Sequence, residues 1–201
     1  MKYILTLLII IFLIGGCVRY VPASADINKP IDSRNIKPQE PEFKLCDQAV
    51  DYNLLLAAMP KQLQGYTASE PRGATLTFQD PSSQKTTKYS TASVHFTKKD
   101  SEWATDTIDV SIMDTCYLQF LSQTWLRFYE LESTEGFVKR VAIKGYSGWH
   151  QYQKYDNSYS YTVLIKDRVM VSVKGKGEVT DSEVKNVIES IDFASIAAAA
   201  K

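Results

Sequence analysis

Histidine is scarce in this chain, cysteine is too sparse for a disulfide scaffold, and neither sign of charge is in excess. Each shortage removes a class of function. Only two histidines occur, His95 and His150. A conventional nitrogen, sulfur and oxygen metal site would need both of them plus a carboxylate supplied by folding, and no ligand spacing provides for that. No metal or cofactor is expected. The three cysteines, Cys17, Cys46 and Cys116, include no C-x-x-C pair and lie beside no basic cluster, which argues against a redox thiol. The 23 basic and 23 acidic residues are interspersed along the chain, so no stripe of positive charge is available to hold nucleic acid. What is abundant points to a folded body: 44% hydrophobic residues and 12 tyrosines in 201 residues, a length suited to one domain.

The longest apolar run, 4–14, follows Met1-Lys2-Tyr3 and precedes Gly15-Gly16. At about 11 residues it is too short to cross a hydrocarbon core of roughly 30 Å as a helix. Charged start, apolar stretch and small residues together make a signal peptide. The residues that follow it, Ile14-Gly15-Gly16-Cys17, resemble the bacterial lipobox, in which a cysteine is diacylated and then becomes the mature N-terminus. The resemblance covers 1–17 and implies a lipoprotein whose palmitate-type acyl chains, on Cys17, hold it to a membrane. The competing reading is an ordinary secreted protein cleaved near Ala23 or Ala25. Val18 stands where an aspartate would favour inner-membrane retention, so the resemblance implies the periplasmic face of the outer membrane, with the cell surface as a variant.

The chain then divides into a signal peptide, 1–16, a tether, 17–44, one domain, 45–196, and a tail, 197–201. The tether carries Pro22, Pro30, Pro38 and Pro41 among polar residues without periodicity, and its mean span is about 30 Å. Export would place Cys46 and Cys116 where disulfides persist, and we expect them to pair. Closing that loop removes about 4 kcal/mol of unfolded-state entropy. Two buried thiols are the alternative.

Within the domain, Val50, Leu54, Ala57 and Ala58, widened by Leu55 and Met59, predict a helix over 48–59, stopped by Pro60. Residues 61–73, with Gly65, Pro71 and Gly73, read as a loop. Alternation begins at 75–78 and continues through Ala92, Val94 and Phe96 and through Ile108, Val110 and Ile112. Asp114 or Thr115 can cap a second helix carrying Leu118, Leu121, Trp125 and Phe128. Strands follow at 137–144, 149–155, 159–165 and 169–173, with turns at Asp156-Asn157 and Lys166-Asp167. Thr180 and Glu183 match a capping box ahead of Val184, Val187, Ile188 and Ile191, a third helix. Connections this short exclude parallel crossovers, so the fold class is α+β, an antiparallel sheet covered by about three α-helices. This element order resembles the PsbP-like fold, a sandwich shared by an extrinsic photosystem protein, a Ran-binding import factor and bacterial lipoproteins. The resemblance implies a binding or assembly-assisting role and transfers no functional residue.

Catalytic motifs fail on inspection. Gly145-Tyr146-Ser147-Gly148 lacks the G-x-S-x-G spacing, and a strand rather than a helix follows it. Lys174-Gly175-Lys176-Gly177 lacks the glycine pattern of a phosphate-binding turn and reads as a loop before the third helix. Asp106 and Asp109 flank an ordinary strand, and His95 falls on its strand's polar side. The aromatic ribbon of Tyr146, Trp149, His150, Tyr152, Tyr155 and Tyr159 is the candidate surface. Alternation puts Trp149 and Tyr155 opposite Tyr152, so some rings face outward and could hold a partner. The other reading is that cross-strand pairs only stabilise the hairpin. The sequence therefore favours a non-enzymatic, lipid-anchored envelope protein whose partners are the membrane and another envelope component. The alternatives are an envelope hydrolase built on His150 and a structural or stress-protective lipoprotein.

Overall fold

Period-2 alternation becomes, in the computed structural model, one nine-stranded sheet in which every pairing is antiparallel. The structure describes residues 48–79, 86–99, 105–116 and 130–200, all within one unit of the chain, Glu42–Lys201. The leader, Cys17, the tether, Cys46 and the stripe Leu118–Leu121–Trp125–Phe128 lie outside the described residues. In chain order the elements are α1 (Tyr52–Ala57), β1 (Tyr66–Ala68), β2 (Arg72–Gln79), β3 (Thr86–Lys98), β4 (Thr107–Asp114), β5 (Leu131–Ser133), β6 (Gly136–Ile143), β7 (Tyr146–Gln153), β8 (Ser158–Ile165), β9 (Val169–Lys176), α2 (Asp181–Ser190) and α3 (Phe193–Ala199). Spatially the strands run β1-β3-β4-β9-β8-β7-β6-β5, with β2 sharing the β1 edge of β3. The fold class is α+β, as its sequence pattern requires.

Alternate residues of the central strands, Val94 and Phe96, Ile108, Val110 and Ile112, Val163 and Ile165, and Val169, Val171 and Val173, form one core with Leu55, Val184, Val187, Ile188, Phe193 and Ile196 of the helices. Helix α2 keeps the stripe and cap its sequence predicts: the Thr180 hydroxyl accepts from the Glu183 amide and Glu183 reaches back to the Thr180 amide at 2.7 Å. It seats over Gly175, where any Cβ would meet Val184 and Val179. The glycine is there for helix approach, so Lys174–Lys176 is strand and not the loop its composition suggested.

Three other expectations change. The first helix is only Tyr52–Ala57, capped by Asp51, and it buries Leu55 while Leu54 is 53% exposed. Residues 48–50 are not helical because they are held across the end of the sheet: Gln48 O accepts from Arg168 Nη2 at 2.6 Å and the Val50 amide donates to Asp114 Oδ2 at 2.7 Å. The 61–73 loop contains β1 and the start of β2, short segments whose order comes from pairing with β3. Residues 193–199 form α3, so the packed domain runs past 196, and Ala200 is buried.

Candidate binding site

The β6–β7 and β8–β9 hairpins turn at the same end of the sheet. Lys144 and Gly145 lie between the paired residues Ile143 and Tyr146 with φ of 51° and 83°, the left-handed pair of a two-residue turn. Lys166 and Asp167 adopt φ of 51° and 53°, and the Arg168 amide closes that turn on Ile165 O at 3.1 Å. Between the turns, β7 and β8 stop pairing at Gly148 and Val163, although each strand runs two residues further. A cavity of about 490 Å³ opens there, lined by Arg140, Tyr146, Ser147, Trp149, Leu164 and Lys166, among others. Trp149 and Leu164 are 4% exposed each, on the sheet face opposite the helices. The Arg140 guanidinium lies over the Trp149 ring, 5.4 Å from its centroid.

The remaining ribbon residues go elsewhere. On the helix-covered face, cross-strand register places Phe137, Tyr152 and Tyr159 side by side, with Lys139, His150 and Tyr161 in the next row. Tyr152 stacks on Tyr159 at 4.6 Å and His150 on Tyr161 at 4.2 Å, the latter pair almost parallel, while Phe137 meets His150 edge-on at 4.9 Å. Ring faces are thus consumed by one another, and mainly edges and hydroxyls are left for contact. Tyr155 sits alone in the β7–β8 connection, 82% exposed. The single aromatic surface expected from sequence is therefore two places. Trp149 is at the cavity, while on the helix side the Tyr146 ring meets Phe193 edge-on at 5.8 Å and His150, Tyr152 and Tyr159 are in a stacked row.

At that row the Tyr161 hydroxyl donates to Asp181 Oδ1 at 3.0 Å, and His150 Nε2 lies 2.8 Å from the same oxygen. That nitrogen makes no aligned hydrogen bond there. Burial pushes the imidazole below its ordinary pKa of 6.5, opposed by Asp181 and assisted by Lys139 and Lys185. Burial and Asp181 both push the Tyr161 phenol upward. His150 lines no part of the cavity described above. His95 is exposed on its strand, as expected, and its Nδ1 is 2.7 Å from Asp109 Oδ1. No metal-holding group of three or more His, Cys, Asp or Glu side chains occurs among the described residues, and no described helix is long and apolar enough to cross a membrane.

One polar group was invisible to motif reading. Arg168 grips Asp114 through Nε and Nη2, each at 2.9 Å, and both side chains are buried. Asp114 Oδ1 also accepts the Cys116 amide at 3.0 Å, the role a cap would play. The residues are 54 apart in sequence, and only the β4–β9 register brings them together. Comparison of the chain with protein-family models, curated proteins and solved structures finds no match.

Proposed function

We propose that this chain is a lipid-anchored, extracytoplasmic lipoprotein whose α+β body binds an envelope component without catalysing a reaction. The cavity at the β6–β9 end carries the reading: beside the buried apolar side chains of Trp149 and Leu164 it gathers the cations of Arg140 and Lys166, the mix of apolar wall and few polar groups found at ligand sites. The lipobox-like Ile14-Gly15-Gly16-Cys17 supports an anchor on Cys17 and a position facing the periplasm from the outer membrane. The order helix, strands, helix supports the finer PsbP-like fold reading. Cys46 pairing with Cys116 is supported by the clasp that draws Gln48, two residues from Cys46, onto Arg168 while Asp114 holds the Cys116 amide.

The test is cross-linking and affinity capture of the full-length protein from its native envelope. A defined component should be captured by the parent and lost with Arg140→Gln and Trp149→Phe, and capture unchanged by both substitutions would remove the cavity from the reading. Cys17→Ala should abolish palmitate labelling and release the protein from the membrane fraction. A hydrolase on His150 is the second reading, favoured by the 2.8 Å approach of Asp181. Phe137 and Tyr161 pack against that imidazole, so the reading requires activity that disappears in His150→Gln and survives in Arg140→Gln.

A further inference from the structure

We infer that the β6–β9 cavity holds a small anion, a carboxylate or phosphate ester. This rests on the reading of the cavity as a binding site. A volume of about 490 Å³ falls in the range of small-ligand sites, and its walls divide by chemistry. Trp149 and Leu164, on the face opposite the described helices, supply its buried apolar floor. Arg140 and Lys166 supply two cations against one acid, Asp167, and among the described residues neither cation makes an ion pair.

Those two cations differ from their neighbours. The Lys144 ammonium is spent on Ile191 O at 3.0 Å and lies over the Phe193 ring, and Lys174 is paired with Asp156 at 3.2 Å. Glu130 takes the backbone amide of Arg140 at 3.0 Å and leaves its guanidinium to Trp149. An arginine already laid on an indole has lost part of its rotamer freedom, so its planar fork meets an anion at lower entropic cost. The acid group of a ligand entering the cavity would then meet Arg140 and Lys166. Ser147, one residue beyond the last paired position of β7, adds a hydroxyl at the same wall.

Isothermal titration of the full-length protein in nonionic detergent tests this with three probes: phenyl phosphate, benzoate and neutral benzamide. The anions should bind saturably with one site, at least tenfold more tightly than benzamide, about 1.4 kcal/mol, and weaken as salt is raised. The exposed pair Arg140→Gln with Lys166→Gln should erase that tenfold preference. Benzamide binding as tightly as the anions, or a double variant that keeps the preference, would overturn the inference while leaving the cavity a binding site. Absence of saturable heat with all three probes would overturn both.

Discussion

The imidazole of His150 gives the fold a pH dependence of its own. Its ring is 14% exposed, faced by Tyr161, edged by Phe137, and surrounded by the charges of Asp181, Lys139 and Lys185. Because burial lowers its pKa below 6.5, the folded state binds fewer protons than the unfolded state just below that pH. Stability is therefore full above about pH 6.5 and falls as pH drops toward the folded value. Thermal melts from pH 7.5 to 5 should show that loss, and His150→Phe should flatten it; an unchanged slope in the variant would assign it to other groups. Arg168 poses the opposite case, a charge fully paired inside. Removing one partner of a buried ion pair strands the other, so Arg168→Met should cost about 3–5 kcal/mol in denaturant unfolding, and Arg168→Met combined with Asp114→Asn should cost less than the two changes summed. Neither residue belongs to a motif, which is why their roles could not be read from sequence.

Among the elements, α2 is the one most completely written in local sequence. Thr180, Glu183 and the spacing of Val184, Val187, Ile188 and Ile191 define its start and its buried face, and the structure reproduces each. Thr180→Ala should lower stability by about 1 kcal/mol, or roughly 2–4 °C in Tm, if the cap contributes as caps ordinarily do. A Tm unchanged within error would mean that tertiary packing alone sets the helix start. The long strands were legible for the same reason, since alternation is a property of neighbouring residues. Where order comes from distant partners, local reading failed. β1 is three residues paired to β3, with the Tyr66 hydroxyl donating to Glu183 at 3.0 Å. α3 is an alanine-rich end made a helix by the burial of Phe193 and Ile196. Helix α1 turned its Leu55 face inward because residues 48–50 are held in the Asp114–Arg168 clasp.

For the molecule as a whole, that clasp and the proposed Cys46–Cys116 bond fasten the point where the tether enters the domain. If the bond forms, reduction should lower stability by about 4 kcal/mol under the loop-entropy description, and the loss should be absent in Cys46→Ser with Cys116→Ser. Alkylation of both thiols without prior reduction would show instead that the bond is not made.

Local sequence encoded what near neighbours can encode: the even charge, the alternating strands, the turns at Asp156-Asn157 and Lys166-Asp167 and the capped helix α2. Their causes are period, propensity and hydrogen bonds a few residues long. Which residues meet at a site was set in three dimensions. The register of β6, β7 and β8 split one run of aromatics, placing Trp149 beside Arg140 at the cavity and putting Tyr146 against Phe193 and His150, Tyr152 and Tyr159 in a stacked row on the helix side. Sheet register is a long-range property, because a shift of one residue would exchange the two faces, and no local pattern states which strand will lie beside which.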